Sequence, residues 1–291
     1  MMKVALIHTA LAGPSGGEKQ ILQLAIQLRK FGHEVELFTN RATRDCYPEL
    51  QKQIKINIVS SSVEKIRKHV KQNKGLFSKV AYLFGDWSNL IVMKKIGQEV
   101  SKNKFDIINC HNFPSEWATY FAKKKLKVPI IWMCNEPPFW FHSEKSILRR
   151  IINFPLYFIF DRFIVKNIDK IVVLDYLNKE RVRRIYKKDS EVIRSGLDIN
   201  KFRVKELDSE KIRKKYRIDN SFMLLNVTGF LDFKRPQDSI NACNLLIKKG
   251  IDVKLVIVGT GPLMNKCQQL TKDLDIEDKV IEIRKKENLP L

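Results

Sequence analysis

A glycine-rich loop directly after an apolar run is the first segment of this chain that could do chemistry. Val4 to Ile7 has the pattern of a strand buried on both faces, and the loop AGPSGGEK follows it, with a helix predicted from Glu18. Gly16 and Gly17 allow positive φ and close approach of a ligand, and free N–H groups at a helix start favour an anion. The spacing is not G-x-G-x-x-G, which disfavours a standard dinucleotide site. The simpler alternative is a tight strand-to-helix turn.

Two further polar positions follow strand-like runs in the same half of the chain. His111 ends the run DIINCH, and Glu136 lies in the segment MCNEPPFW beside the aromatic residues Phe139 and Trp140. Carboxylates next to aromatic faces suit a carbohydrate, whose C–H faces pack on such rings. The alternatives are a packing histidine and a rigid surface loop held extended by its two prolines.

The second half of the chain contains two loops suited to a diphosphate. In GFLDFKR, which begins at Gly229, Lys234 and Arg235 enter a helix whose N-terminus already favours anions. In VGTGPLMNK, Gly259 and Gly261 permit tight backbone approach before another helix. An exposed, solvated Lys-Arg pair is the plain alternative for the first loop.

The elements that position these residues alternate between strand and helix. Seven strand-like runs between Val4 and Arg194 predict a doubly wound parallel α/β sheet, and a polar stretch rich in turn formers follows. A second βαβ series contains only three strands. We therefore predict an N-terminal Rossmann-like domain over 1–195, a linker over 196–220 and an incomplete second Rossmann-like domain over 221–291.

Composition points to an anionic partner and to a reducing compartment. The 291 residues contain 54 Lys and Arg against 32 Asp and Glu, a net charge of +22, although a lysine-rich proteome would give similar surfaces. One basic cluster lies between Lys65 and Lys74. The five scattered cysteines form no metal-binding pattern, so we predict reduced core residues of a cytoplasmic protein and no metal. No signal segment is expected, and the apolar run Ile151–Phe160 is too short to span a bilayer.

Taken together, these motifs resemble the family 4 glycosyltransferases, retaining enzymes with the GT-B fold of two Rossmann-like domains. The order of PSGGEKQILQLAIQLRKFGHEVELFT, FDIINCHN, IVVLDYLNKERV, VIRSGLDINKF, GFLDFKRPQD and VGTGP carries the resemblance. It implies that Gly16, Gly17 and Glu18 lie against the donor diphosphate and the acceptor, and that His111 lies near the transferred sugar. It also implies that 1–195 is the acceptor-side domain and that 221–291 is part of the nucleotide-sugar-binding domain. In that second domain, Lys234 would neutralise the leaving diphosphate and the GTGP loop would shape the nucleotide pocket.

Two departures from the family pattern qualify this expectation. Phe230 stands where the family usually places Arg, so one diphosphate contact falls to Lys234 and Arg235. The paired glutamates that hold the donor in this family would lie beyond Leu291. We therefore expect either a fragment or a protein that cannot bind a donor in the usual way.

The leading hypothesis is a retaining enzyme that moves a hexose, of mannose or glucose type, from a nucleotide-diphosphate sugar to a glycan or a polyprenol- or lipid-linked acceptor. The segment Ile147–Asn167 mixes Arg with aromatic residues and could rest on an anionic membrane surface, here the inner face. A core helix of the first domain is preferred, because only part of the segment has a clear two-faced pattern. Two other classes stay open. One is a nicotinamide-dependent oxidoreductase, and the other is a catalytically inactive binding protein for an anionic glycan, a lipid headgroup or nucleic acid, although no specific nucleic acid is expected.

Overall fold

The computed structural model describes residues 1–59, 83–123, 125–138, 146–197, 199–202, 206–218 and 220–283. The chain divides into two compact units, Met1–Gly196 and Leu197–Leu291. The stretch predicted as a linker contains a 3₁₀ turn, Ile199–Phe202, and a helix, Glu206–Lys215. The basic cluster between Lys65 and Lys74 lies outside the described residues.

The first unit is built on a parallel sheet of seven strands in the order β3-β2-β1-β4-β5-β6-β7. All seven predicted strands are confirmed. Their bounds are Lys3–His8 for β1, Glu34–Thr39 for β2, Lys55–Ile58 for β3, Ile107–His111 for β4, Ile130–Met133 for β5, Lys170–Val173 for β6 and Glu191–Val192 for β7.

Helices connect these strands, as the alternating pattern predicts. They are α1 (Gly16–Lys30), α2 (Pro48–Gln51), α3 (Gly85–Val100), α4 (Trp117–Lys123), α5 (Ile147–Phe154), a π-helical turn (Pro155–Asp161), α6 (Arg162–Lys166) and α7 (Tyr176–Tyr186). Helix α1 ends before Gly32, whose φ of +84° is a conformation that glycine adopts at little cost.

The central strand β1 is buried on both faces, as predicted. Because successive side chains of a strand point to opposite faces, Val4 and Leu6 join one apolar cluster, and Ala5 and Ile7 join another. The first cluster includes the inner side of α1, and the second includes Trp117 and the core of α3. Because apolar clusters cover both faces of the sheet, the candidate site residues lie at its carboxyl edge.

The second unit has three parallel strands in the order β10-β9-β8. The three predicted strands are confirmed, and the bounds are Phe222–Val227 for β8, Val253–Val258 for β9 and Val280–Ile283 for β10, with helices Glu206–Lys215 (α8), Pro236–Lys248 (α9) and Met264–Asp273 (α10). Within the described residues β8 pairs with β9 alone, so its other edge is unpaired.

All five cysteines are buried free thiols, as predicted. Among the helices that the structure describes, none combines the length and the apolar character that crossing a bilayer requires.

Candidate functional site

The first glycine loop differs from its predicted form. Helix α1 begins at Gly16 and not at Glu18, so Gly16 and Gly17 are its first two residues and neither has a positive φ. Gly17 is needed for a different reason. A Cβ atom there would lie 2.5 Å from the side-chain nitrogen of Asn112, whereas a Cβ on Gly16 would meet nothing within 4 Å. Gly17 therefore makes room for the side chain of Asn112, and the backbone at Gly16 is exposed.

Glu18 lies in the first turn of α1, where its charge complements the helix dipole. The Ser15 hydroxyl donates to the Glu18 carboxylate and does not cap the helix. The first N–H groups of a helix have no partner within it, so those of Gly16 and Gly17 are available to an acceptor from outside. The loop itself is fixed from the other side by the Tyr47 hydroxyl, which donates to the Ser15 carbonyl over 3.1 Å.

Two histidines meet at the carboxyl edge of the sheet. His8 ends β1 and is the register partner of His111, which ends β4. Asn112 follows in the left-handed region with φ of +62°, which asparagine tolerates better than most residues. Its Nδ2 lies 3.1 Å from His8 Nε2, so His8 accepts this hydrogen bond as a neutral imidazole. Burial lowers the pKa of His8, against the opposing effect of Glu18, and agrees with that assignment.

The polar network continues through amide side chains. Asn135 Nδ2 donates to Asn112 Oδ1 over 2.6 Å and to Gln20 Oε1 over 2.8 Å, and Gln20 Nε2 donates to Ser195 Oγ over 2.9 Å. Asn178 Nδ2 donates to the Asn135 carbonyl over 2.9 Å. His8, Asn112, Asn135 and Gln20 were not among the predicted site residues. The available signal was that His8, Asn112 and Asn135 directly follow or end buried strands whose carboxyl ends share one edge.

His111 is 2% exposed, and among the described residues neither of its ring nitrogens has a hydrogen-bond partner. Burial, with a smaller contribution from the neighbouring His8, lowers its pKa to about 3. The imidazole is therefore neutral at neutral pH and can donate from one nitrogen and accept at the other. Asn135 Oδ1 at the same edge also has no partner in the described part of the chain. Buried polar atoms normally have partners, so these atoms point to a polar ligand.

A buried pair of carboxyl groups lies deeper in the first unit. Asp161 Oδ1 and Oδ2 accept from Trp117 Nε1 and from the Tyr186 hydroxyl, each over 2.7 Å. Burial raises the pKa of Asp161 to about 6 although these bonds oppose the rise. Burial and the charge of Asp161 also raise the pKa of Glu116. These groups are enclosed and fix the helices around them.

Glu136 is exposed and directly follows Asn135 of the network. Its predicted aromatic neighbours, Phe139 and Trp140, lie outside the described residues. The structure therefore places Gly17, Glu18 and His111 around one network, and places Glu136 one residue from it.

In the second unit the loop GFLDFKR forms a 3₁₀ turn over Asp232–Lys234. Lys234 is exposed, with Nζ 5.4 Å from the centre of the Phe233 ring. Arg235 has φ of +50°, and its Nε and Nη2 donate to the two carboxylate oxygens of Asp238 over 2.6 and 3.1 Å. Arg235 thus forms an ion pair with an acidic residue of the same helix, and Lys234 is the cation more available to a diphosphate.

The GTGP loop packs directly on this segment. A Cβ on Gly259 would lie 1.8 Å from the Thr228 carbonyl oxygen, and one on Gly261 would lie 2.5 Å from the Phe230 carbonyl oxygen. Phe230 is fully buried in the core of this unit, and its N–H donates to the Thr260 carbonyl over 3.0 Å. The structure therefore brings Gly229, Gly259 and Gly261 together with the turn that bears Lys234, at the carboxyl ends of β8 and β9.

No group of three or more His, Cys, Asp or Glu side chains within the described ranges could hold a metal ion. The arrangement thus consists of a neutral polar edge in one unit and a cationic turn beside a glycine loop in the other.

Two Rossmann-like units with these loops define the GT-B class of glycosyltransferase folds, and solved structures of that class share the fold. The chain aligns over its whole length with 71% of HepE from Anabaena, a structure that contains UDP and glucose, at a TM-score of 0.71 and 14% identity. It also aligns over 98% of its length with 69% of the lipopolysaccharide outer core galactosyltransferase WaaB, at a TM-score of 0.62 and 18% identity.

Residues 14–201 match Glycosyltransferase Family 4, and the chain belongs to that family. It is 23% identical over 207 residues to N-acetyl-alpha-D-glucosaminyl L-malate synthase of Bacillus anthracis, a match that covers 69% of this chain and 51% of the relative. It is 26% identical over 156 residues to the glycosyltransferase MJ1059 of Methanocaldococcus jannaschii, covering 52% of this chain and 36% of that protein. The chain thus spans about half or less of the curated relatives it matches.

Proposed function

We propose that this protein is a retaining glycosyltransferase that moves a hexose, of mannose or glucose type, from a nucleotide-diphosphate sugar to a glycan or a polyprenol- or lipid-linked acceptor. Its family and the GT-B fold support transfer from a nucleotide sugar, and HepE binds UDP and glucose. The proposed place of action is the cytoplasmic face of the membrane, where a lipid-linked acceptor would be presented.

The observation that carries the proposal is the set of buried polar atoms without partners at the edge of the first sheet. His111 offers one donor and one acceptor, and Asn135 Oδ1 offers an acceptor. A hexose hydroxyl both donates and accepts, so a sugar could satisfy all three atoms. A nucleic-acid phosphate would not, because it only accepts, whereas one nitrogen of the neutral His111 and the Asn135 Oδ1 both need a donor.

His111 acts in this proposal as a neutral hydrogen-bonding group. With a pKa of about 3, it does not carry a positive charge at neutral pH and does not serve as a general acid there. The departing phosphate oxygen then accepts the proton of the acceptor hydroxyl. The family resemblance implies this step for a retaining enzyme without a protein nucleophile.

Stabilisation of the leaving diphosphate is assigned to Lys234 and the N–H groups of the glycine loops. Lys234 is exposed beside Gly229, whereas Arg235 is held by Asp238. Charge develops on the leaving group in the transition state, and removing one preorganised group that stabilises such charge typically costs about 10²- to 10³-fold in rate, or roughly 3–4 kcal/mol.

The test is release of nucleoside diphosphate from UDP-glucose, UDP-galactose, UDP-N-acetylglucosamine and GDP-mannose by the full chain, with a membrane lipid extract as acceptor. At least one donor should be turned over, and NMR of the product should show retention of the anomeric configuration. Lys234→Ala should lower the rate about 10²- to 10³-fold. The matched control is Lys248→Ala, which removes an exposed lysine at the far end of α9.

Circular dichroism and thermal melting would verify that both variants remain folded. An unchanged rate in the Lys234→Ala variant would exclude the assigned role of this lysine. If none of the four donors is bound or turned over, the chain is not a transferase of these hexoses.

A further inference from the structure

A continuous helical segment of the first unit has its apolar residues on the outside. It comprises α5, the π-helical turn and α6, Ile147 to Lys166. The outer face consists of large hydrophobic side chains that are each 50–73% exposed, namely Ile147, Leu148, Ile151, Phe154, Ile159 and Phe163. Helices on the surface of a water-soluble domain normally place apolar side chains inward and polar ones outward.

Hydrogen bonds of buried polar residues on the inner side of this segment keep its apolar outer face exposed. Asn153 is buried, and its Nδ2 donates to the Leu83 carbonyl over 3.1 Å and to the Arg149 carbonyl over 2.9 Å. Asp161 is buried and accepts from Trp117 and Tyr186. Rotating the segment to cover its outer face would break these bonds and leave buried polar groups unpaired, which is costly. The exposed apolar surface is therefore built into the fold.

Cations are interleaved with these apolar residues. Arg150, Arg162 and Lys166 are all exposed. The Arg162 guanidinium lies 4.8 Å from the centre of the Phe158 ring, and Phe158 stacks on Phe154 with ring centres 4.7 Å apart. Apolar bodies surrounded by Arg and Lys are the composition of helices that lie in the interface of an anionic membrane.

A shallow apolar groove of about 380 Å³ adjoins the outer face. Hydrophobic side chains line it, with Trp87 and Leu90 on one wall and Pro155, Ile159 and Phe163 on the other. It would be filled by hydrocarbon, since it offers no charged group to a polar ligand.

We propose that the outer face docks on an anionic phospholipid bilayer, with Arg150, Arg162 and Lys166 at the headgroups and the groove receiving acyl-chain methylenes. The occupant follows from charge complementarity: the chain has a net charge of +22, and three of its cations border the apolar surface. A segment of 20 residues is about 30 Å long and lies flat in this arrangement without crossing the bilayer. The inference concerns attachment and does not depend on the proposed transfer reaction.

The test is flotation of the full chain with vesicles of 70% phosphatidylcholine and 30% phosphatidylglycerol, and with vesicles of pure phosphatidylcholine. The chain should float with the anionic vesicles only. Replacing one exposed cation should weaken binding about fivefold at low ionic strength, so Arg150→Gln with Lys166→Gln should nearly abolish flotation. Ile151→Ser with Ile159→Ser should also abolish it.

The control variants change equally exposed residues elsewhere. Phe31→Ser with Leu245→Ser, and Lys248→Gln with Lys249→Gln, should leave flotation unchanged. Quenching by doxyl-labelled lipid should affect the fluorescence of Trp87, and Trp87→Phe should remove the quenched component. All variants should retain the circular dichroism of the parent chain.

Several outcomes would overturn the proposal. Equal flotation with neutral vesicles would exclude the role of the cations, and flotation of the Ile151→Ser, Ile159→Ser variant would exclude the outer face. Absence of flotation together with concentration-dependent dimerisation that this variant removes would show that a second copy covers the face. Vesicle binding is measured without donor or acceptor, so failure here leaves the transfer proposal standing, and the reverse also holds.

Discussion

The two parallel sheets begin with the same local arrangement and differ in how it is buried. β1 and β8 are each the first strand of a βαβ series, and each runs into a glycine-containing loop. Along β1, Val4 to Ile7 are at most 3% exposed, whereas Phe222, Leu225 and Val227 of β8 are 74%, 58% and 59% exposed. β1 has β2 and β4 on its two sides, but β8 pairs with β9 alone among the described residues. An apolar strand is therefore buried by its neighbours and covering helices, and its sequence alone does not ensure this.

The polar site residues of the two units also differ in burial: those of the first unit are buried and those of the second are exposed. At the edge of the first sheet they are buried, neutral and joined by hydrogen bonds, as His8, Asn112 and Asn135 show. On the turn of the second unit Lys234 is exposed and charged. A buried neutral network suits recognition of sugar hydroxyls, and an exposed cation suits a phosphate that arrives with its own charge.

Removing an aromatic side chain from each unit is the strongest way to test this contrast. Trp117→Ala should lower the free energy of unfolding of the first unit by about 3–5 kcal/mol, because it opens a cavity and deprives Asp161 of a donor. Phe222→Ala should change the stability of the second unit by less than about 0.5 kcal/mol.

Urea denaturation, followed by circular dichroism for the whole chain and by hydrogen exchange for each unit, would measure both effects. A loss of several kcal/mol in the Phe222→Ala variant would mean that β8 is covered in solution, and the contrast between the sheets would fail.

The pH dependence of stability tests the neutral network of the first unit. The pKa of His111 is about 3 in the folded chain and about 6.5 in the unfolded chain, so the unfolded state binds the proton first as the pH falls. The stabilising contribution is thus fully present above pH 6.5 and is lost progressively between pH 6.5 and 3. At pH 5 the loss is about 2 kcal/mol.

The difference between the parent chain and His111→Gln isolates this contribution from His8, Glu116 and Asp161, which also titrate. Between pH 8 and pH 5 the parent should lose about 2 kcal/mol more than the variant. If His111→Gln and the parent have parallel pH profiles, His111 is not a buried neutral imidazole.

Sequence patterns predicted the strands well because a buried parallel strand is a local apolar run. All ten predicted strands, seven in the first unit and three in the second, are present. The site was predicted less completely because its contacts are not local. Gln20 and Ser195 are far apart in the chain but hydrogen-bonded, and the reason for Gly17 is the side chain of Asn112. No periodicity reveals such pairs.

One local boundary was wrong. The start of α1 was predicted at Glu18 from the helical spacing of the apolar residues that follow, yet Gly16 and Gly17 form its first turn, where few helical bonds are at stake. The diphosphate contact of Arg235 stays a prediction. The structure adds that Asp238, three residues later, pairs with the Arg235 guanidinium, a contact that depends on residues of the same helix.

The smallest predicted effect concerns the exposed face of β8. Leu225→Lys should change the free energy of unfolding by less than about 0.5 kcal/mol, since Leu225 is exposed. It should nevertheless slow aggregation clearly, because a charge on an unpaired edge strand opposes pairing with another chain. Light scattering during incubation at 37 °C would measure the rate, with Leu245→Lys on the outer side of α9 as the control. The control should aggregate like the parent, because it adds the same charge away from the edge. If both variants slow aggregation equally, the effect comes from net charge and not from β8. If only Leu225→Lys slows it, chains associate through β8, whereas β1 is paired on both sides and offers no such edge.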